Sequence, residues 1–313
     1  MNMPIRTLIA ALVICLCEIA GAWAQSNPLY IVLPFPAATP SAELARQMSV
    51  RLAAKLERPV VVEYKPGGNS RVAQDHVRAA KPDGNTLLWA VSSIVVEPVL
   101  AGKPQDLARD LQPLALGLRA SLVMVSRPGL AHRDFSEILA SLRSGGTLSC
   151  GYGSGAMLLA CTALKQLNPQ GVVLVGYASS GLALPDVAGE RLDVAFTLLE
   201  PVVKALVAAG KVQMLGRTST GGNDPSMATV PRIDRVLPAL AISPWQGWFA
   251  PAGTPPESTQ LFLRVLQEVM QDSEMRKQFS QFDFRPDYVP EPEFSKMLHS
   301  EYLRFTQLLQ TVR

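Results

Sequence analysis

One short stretch, Ser149-Cys-Gly-Tyr-Gly-Ser-Gly155, combines glycines with hydroxyl side chains where a predicted strand runs into a predicted helix. Glycine lets the backbone approach a ligand closely, and the free N–H groups at the start of a helix attract anions. Gly151, Gly153 and Ala156 also fit the dinucleotide fingerprint G-x-G-x-x-A, but Val172–Tyr177 lacks the acidic residue expected about 20 positions later. The stretch therefore predicts an anion-binding loop, with a plain tight turn as the alternative.

The sequence lacks the residue patterns that nucleophilic catalysis or a metal site requires. Ser154 does not lie in a G-x-S-x-G elbow, because its neighbours at positions 152 and 156 are Tyr and Ala. The histidines, His76, His132 and His299, lie in unrelated segments and have no metal-ligand spacing to each other or to a cysteine. We therefore expect no catalytic residue, no metal and no cofactor.

Two cysteines, Cys150 and Cys161, flank the glycine stretch. One ends the predicted strand and the other lies about two turns into the predicted helix. A disulfide persists in an oxidising compartment, and this separation permits one without requiring it. A bridge and two free thiols both remain open.

The elements around this stretch alternate between strands and helices. Short apolar runs predict strands, and apolar residues at helical spacing predict the helices between them. Such alternation predicts right-handed βαβ units on a parallel sheet. The predicted strands are 29–33, 59–63, 86–91, 121–126, 147–150, 172–177, 194–197, 212–217 and 245–250, and the predicted helices are 42–56, 72–80, 135–143, 155–167, 201–209, 257–271 and 291–312.

The N-terminal residues have the pattern of an export signal. A cation precedes the apolar run Thr7–Cys17, and Ala22-Trp-Ala24 is a small-x-small site before Gln25. Glu18 interrupts the apolar run too early for a membrane anchor, the alternative interpretation. We expect a signal peptide over residues 1–24, cleavage after Ala24, and a soluble protein in the periplasm.

Composition limits the domain count and the partners. The 313 residues are 48% hydrophobic and 18% charged, which is typical of a globular chain of about two domains. The net charge is +3, and the sequence has no basic stripe of the kind that binds nucleic acid. We expect no nucleic-acid partner.

Six motifs, in chain order, resemble those of the tripartite tricarboxylate transporter substrate-binding family, also called Bug-type receptors. Together they cover essentially the whole mature chain, so the resemblance is specific although each motif alone is weak. The motifs are Pro34–Ala37 (family P-F-x-A), Val62–Gly67 (V-E-N-R-P-G), Lys81–Leu88 (A-P-D-G-Y-T-L-L), Ser149–Ser154 (S-x-G-x-G-[ST]), Val175–Asp193 (V-P-Y…D-L-L-G-G-x-V-D) and Trp245–Pro255 (W-x-G-x-x-A-P-A-G-T-P).

The resemblance implies an α/β, two-domain periplasmic-binding-protein fold, type II-like, with the ligand cleft between the domains. Domain 1 would comprise residues 25–122 plus 246–313, and domain 2 residues 123–245. Chain crossings near 121–126 and 240–248 would form the hinge. The implied protein is a monomer that captures a small organic anion, a carboxylate or an amino acid, for membrane transporter subunits or a sensor.

The resemblance also implies that two facing loops, 36–41 and 151–154, hold the ligand through backbone amides and hydroxyl groups rather than arginines. We therefore expect ligand contacts from both loops and from residues near them. These residues are Pro36, Ala37, Ala38, Thr39, Ser41, Ser92, Gly151, Tyr152, Gly153, Ser154, Tyr177 and Ser179.

The sequence departs from the family pattern at the expected site. The first Gly-Gly is Ala38-Thr39, the G-G-N-x-G stretch reads Asn69-Ser-Arg-Val-Ala73, and the Gly-Gly after Tyr177 is Ser179-Ser180. Side-chain hydroxyl donors thus take the place of glycines that would let the backbone approach a ligand closely. Arg71 would add a cation if loop 67–73 faced the cleft. Two alternatives to a working receptor are a degenerate receptor that signals or binds nothing, and an exported hydrolase or transferase.

Overall fold

A computed structural model describes residues 27–100, 102, 111–132, 134–218, 222 and 224–310 of the chain. The predicted signal peptide and its cleavage site at Ala24 lie outside the described residues. Within them, no helix combines the length and the apolar character that crossing a membrane requires.

Strands and helices alternate along most of the described chain. The strands are β1 (Leu29–Leu33), β2 (Val60–Tyr64), β3 (Thr86–Val91), β4 (Leu111–Arg119), β5 (Leu122–Ser126), β6 (Leu148–Tyr152), β7 (Val172–Gly176), β8 (Val194–Leu198), β9 (Gln213–Arg217), β10 (Trp245–Pro251) and β11 (Arg285–Pro290). The helices are α1 (Pro40–Leu56), α2 (Arg71–Arg78), α3 (Ser93–Leu100), α4 (Phe135–Arg143), α5 (Gly155–Lys165), α6 (Ser180–Ala188), α7 (Pro201–Ala208), α8 (Pro256–Gln271), α9 (Ser273–Gln281) and α10 (Glu293–Gln310).

The strands form two sheets with the same internal order. The six-stranded sheet runs β11-β4-β10-β3-β1-β2, and the five-stranded sheet runs β7-β6-β8-β5-β9. In each sheet three strands are parallel, namely β2, β1 and β3 in one and β7, β6 and β8 in the other. The chain therefore builds one architectural unit twice.

The predicted parallel pairing is confirmed for these three strands of each sheet, but each sheet also contains antiparallel strands that the sequence did not predict. Strand β10 is antiparallel to both β3 and β4, and β5 is antiparallel to both β8 and β9. Both β5 and β10 enter their sheets directly after the chain crosses from the other sheet, so no βαβ unit fixes their direction. These crossings lie between Arg119 and Leu122 and between Arg217 and Trp245.

Part of the core joins the two sheets, and the rest lies against one sheet or the other. One apolar cluster contains Leu88 from the first sheet together with Phe196 from the second. Helices α3, α5 and α10 supply much of this shared cluster, including Val95, Leu159 and Phe305. Two further clusters each belong to one sheet. The shared cluster packs the two α/β units side by side, with their strand ends facing one cavity.

Candidate functional site

A cavity of about 710 Å³ lies where the parallel strands of both sheets end. Its size falls within the range of small-molecule sites. The loop after each of the six parallel strands contributes to the lining, as expected for ligand sites in open α/β sheets. The lining residues are Pro34, Phe35, Pro36, Ala38, Thr39 and Ser41 after β1; Pro66, Gly67, Gly68 and Ser70 after β2; Val91, Ser92 and Ser93 at and after β3; Gly153, Ser154, Ala156 and Met157 after β6; Ala178, Ser179, Ser180 and Gly181 after β7; Leu198 and Glu200 at and after β8; and Pro244, Trp245, Gln246 and Phe284.

Helix N-termini converge on the same cavity. The residues that precede helices α1, α2, α5, α6 and α7, which are Thr39, Ser70, Ser154, Ser179 and Glu200, all line it. The first turn of a helix has N–H groups without a partner inside the helix, and it carries the positive end of the helix dipole. The convergence of several such ends creates an anion-attracting surface to which the described lining residues add no lysine or arginine.

The wall from the second sheet is closely packed and leaves hydroxyl groups free. At Gly153 a Cβ atom would lie 2.0 Å from the Ser180 nitrogen and 2.3 Å from the Ser179 carbonyl carbon, so only glycine fits. The side chains of Ser154 and Ser179 make no cap hydrogen bond to their own helices. Their hydroxyls are thus available to a ligand.

A disulfide ties this wall to the helix behind it. Cys150 and Cys161 are bonded, with Cα atoms 5.7 Å apart, and both side chains are fully buried. The bridge connects β6 to α5, the two elements on either side of the loop that carries Gly153 and Ser154. Of the two possibilities the sequence left open, the structure contains the bridge.

The wall from the first sheet uses its hydroxyl groups internally. Thr39 caps α1, accepting a hydrogen bond from the Ala42 N–H at 3.3 Å, and donates its own hydroxyl to the Pro36 carbonyl at 3.0 Å. Ser70 Oγ lies 2.8 Å from Ser93 Oγ. Ser70 also has a φ of 78°, a left-handed conformation that favours glycine. This wall therefore offers fewer free donors than its composition predicts.

The segment that enters the six-stranded sheet at β10 forms the floor between the walls. The Gln246 amide donates to Ser41 Oγ at 2.9 Å. The Trp245 indole donates to Glu301 Oε2 at 2.6 Å. Burial raises the pKa of the Glu301 carboxyl to about 7. A titrating group on α10 therefore contacts a residue that lines the cavity.

The charge of the lining is unusual for an anion site. Among the described residues that line the cavity, Glu200 is the one ionisable side chain, and no lysine, arginine or histidine is present. Arg71, a candidate cation in the sequence, is exposed and pairs with Asp75 at 3.6 Å instead. Within the described residues no group of three or more His, Cys, Asp or Glu side chains could hold a metal ion. Anion binding here must rely on N–H and O–H donors.

Most residues predicted for the site line this cavity together. They are Pro36, Ala38, Thr39, Ser41, Ser92, Gly153, Ser154 and Ser179.

Ala37, Gly151, Tyr152 and Tyr177 do not line the cavity. The Ala37 carbonyl accepts from Arg46 Nη1 at 2.9 Å, and the Tyr177 hydroxyl donates to Asp186 Oδ2 at 2.8 Å. Gly151 is buried, and a Cβ there would lie 2.5 Å from Leu192. The Tyr152 hydroxyl lies beside Gly176 instead. Each of these four residues therefore contacts neighbouring protein groups instead of the cavity.

Several cavity residues were missed in the sequence. Gly67, Gly68, Ser70 and Glu200 all follow parallel strands that the apolar runs predicted. The rule that ligands bind beyond the carboxyl ends of parallel strands would have pointed to them. Trp245 and Gln246 carried no such signal, because their strand is antiparallel and joins the sheet from the other unit.

Comparisons with known proteins agree with this architecture. Residues 44–313 match the model of the tripartite tricarboxylate transporter family receptor. A UPF0065 protein of Bordetella bronchiseptica is 28% identical over 312 residues, covering 98% of this chain and 92% of that protein. The periplasmic binding protein BugD has a TM-score of 0.77 at 20% identity, covering 91% of this chain and 97% of that one. A Rhodopseudomonas palustris protein solved with adipate has a TM-score of 0.79 at 20% identity, covering 92% and 98%.

Proposed function

The chain belongs to the tripartite tricarboxylate transporter receptor family, and from this premise we propose that it captures a small carboxylate in the cavity between its two sheets. As a member of this family it is a solute-binding receptor and not an enzyme, which removes the hydrolase or transferase alternative. Its fold is the two-domain α/β fold of periplasmic binding proteins. The proposal concerns the ligand, the site residues and the partners.

The proposal rests on one observation: the unpaired hydroxyls of Ser154 and Ser179 and several helix N-termini surround a cavity whose described lining residues include no basic side chain. A carboxylate oxygen accepts several hydrogen bonds at once, and each bond to a charged group contributes about 1.5–3 kcal/mol. Three or four such bonds would reach the roughly 8 kcal/mol of micromolar affinity. We assign Ser154, Ser179 and the backbone N–H groups of the Gly153 loop as the principal donors.

Ligand binding would favour a closed arrangement of the two units. We keep the predicted domains, residues 25–122 plus 246–313 and residues 123–245, as rigid parts that move about the two chain crossings. A ligand that touches both walls is more stable when the walls are close, so it shifts the population toward closure. The closed form would be what membrane transporter subunits or a sensor recognise. We further propose a periplasmic monomer released by cleavage after Ala24.

The test begins with the protein purified from the periplasm of its own host under native conditions. Mass spectrometry of the small molecules it retains should identify a carboxylate. Thermal unfolding with a carboxylate panel, including adipate and amino acids, provides the second measurement. A ligand at 100 times its Kd should stabilise the fold by about 2.7 kcal/mol. No retained molecule and no stabilisation by millimolar ligands would favour the degenerate-receptor alternative.

A further inference from the structure

Among the described residues that line the cavity, Glu200 is the one ionisable side chain, and binding an anion does not require it. It lies directly after β8 and immediately before α7, half-buried, with its residue in the cavity lining. Among the described residues its carboxylate has no hydrogen-bond or ion-pair partner, and it makes no cap hydrogen bond to α7. An ordinary helix-capping role therefore does not account for it.

Within the part of the chain that the structure describes, no cation pairs with this carboxylate. Lys204 lies one turn further along α7, but its ammonium pairs with Asp224 and donates to the Gln281 carbonyl at 3.3 Å. Burial raises the pKa of Glu200, and no neighbouring charge opposes that rise. Paired acidic groups elsewhere behave differently, since the pKa of Asp186 is lowered by hydrogen bonds from Arg191 and Tyr177. Glu200 is thus an acidic residue of the cavity lining whose carboxylate has no partner among the described residues.

The cavity consequently has two chemically different sides. Ser154 and Ser179, at helix N-termini, suit a carboxylate, whereas Glu200 repels one when it is ionised. A second carboxylate on the ligand would bring another negative charge close to Glu200, which burial already removes partly from water. A ligand with a positively charged nitrogen would supply the missing counter-charge and satisfy the unpaired oxygens.

We propose that the ligand is a zwitterion, a carboxylate that also carries a positively charged nitrogen, and that Glu200 is the residue that selects it. The carboxylate binds the hydroxyls and N–H groups of the Gly153 loop, and the nitrogen pairs with the Glu200 carboxylate. This inference rests on the proposed function, because it assigns the ligand class of the same cavity.

The experiment compares acids that differ in a single group. Isothermal titration calorimetry measures the affinity of ligand-free full-length mature protein for L-aspartate, L-malate and succinate, and for L-leucine and 2-hydroxyisocaproate. At least one amino acid should bind ten-fold or more tightly than its hydroxy counterpart. The variant Glu200→Gln should lose that preference. The control Glu257→Gln removes the same charge from an exposed helix start outside the cavity and should keep the preference.

The outcomes separate this inference from the proposed function. Tighter binding of a hydroxy acid or of succinate, or an amino-acid preference that survives Glu200→Gln, overturns the zwitterion and leaves a carboxylate receptor. When no panel member binds, the molecule retained by the periplasmic protein decides: a cationic nitrogen supports the inference, and its absence overturns it. A protein that retains nothing and binds nothing overturns both. Selectivity of the unaltered protein decides the inference if Glu200→Gln does not fold.

Discussion

The two walls of the cavity contain similar residues but are prepared differently for a ligand. In the wall from the first sheet, Thr39 is bonded to its own loop and helix, and Ser41 accepts from a neighbouring side chain. In the wall from the second sheet, Ser154 and Ser179 have free hydroxyls on a backbone that packs too tightly at Gly153 for any side chain. The residue types in a wall therefore do not show which hydroxyl groups are free to bind a ligand. From this difference we expect the second wall to anchor the ligand and the first wall to close over it.

The largest expected effect is at Gly153. A Cβ in Gly153→Ala would overlap the Ser180 nitrogen at 2.0 Å, so the two loops of the second wall must separate. We expect at least a 1000-fold loss of affinity for the retained ligand, about 4 kcal/mol, by calorimetry.

The matched control is Gly181→Ala, in the same wall. A Cβ at Gly181 has no protein neighbour within 4 Å, so Gly181→Ala should keep the native thermal stability, whereas Gly153→Ala should lower it; Gly181 also lines the cavity, so stability is the property compared here. Near-native binding by Gly153→Ala would show that the second wall does not need its close packing.

The next effect concerns the bridge between Cys150 and Cys161, which the second wall has and the first lacks. It closes a short loop, with a sequence separation of 11 residues. Its loss should therefore lower the free energy of unfolding by about 3 kcal/mol, according to the denatured-state entropy estimate. Denaturant unfolding with and without reductant measures this. The double variant Cys150→Ser, Cys161→Ser should be insensitive to reductant, and two titratable thiols in the denatured, unreduced mature protein would refute the bridge.

The floor between the walls should respond to pH through Glu301. Its folded pKa of about 7 exceeds the value of an ordinary glutamate, so the folded state binds more protons between about pH 4.5 and 7. The stability that Glu301 contributes is complete below its unfolded pKa and is lost as the pH rises through 7. Unfolding free energies at pH 5 and pH 8 should therefore differ by about 2 kcal/mol more in the native protein than in Glu301→Gln.

Gln at position 301 still accepts from the Trp245 indole, so the comparison isolates the charge. An identical pH dependence in both proteins would mean that Glu301 stays ionised throughout this range.

The smallest effects are expected from removing single hydroxyl groups. Removal in the second wall should weaken binding, whereas removal in the first wall should lower stability. Ser154→Ala should weaken binding about ten-fold through one lost charge-assisted hydrogen bond, with little change in stability. Thr39→Val should lower stability by about 1 kcal/mol through the lost cap of α1, with little change in affinity. Affinity titrations and thermal unfolding of both variants measure the pattern. The reverse pattern would place the anchor in the first wall.

Apolar runs predicted strands well where burial is continuous. The predicted bounds of β1 and β3 are those observed, because most residues of these central strands are buried. Strand β11 was missed because Arg285–Pro290 is polar and contains two prolines, which only an edge strand tolerates. Strand β4 was missed because Pro113 and Gly117 interrupt its apolar pattern.

The sequence predicted the position of the site better than it predicted the roles of the residues there. The loops after β1 and β6 carried recognisable motifs, and Gly153 and Ser154 lie in the cavity. The role of Thr39 depends on where its hydroxyl points, which the residue type does not determine. Glu200 stands out because no described residue pairs with its carboxylate, and a sequence does not show which charges remain unpaired after folding.

The most direct test of the central claim is a crystal structure of the protein with the ligand it retains from the periplasm. We predict a carboxylate between the two sheets, hydrogen-bonded to Ser154, Ser179 and the backbone N–H groups beside Gly153. A ligand held mainly by loop 36–41, or one bound outside this cavity, would contradict it.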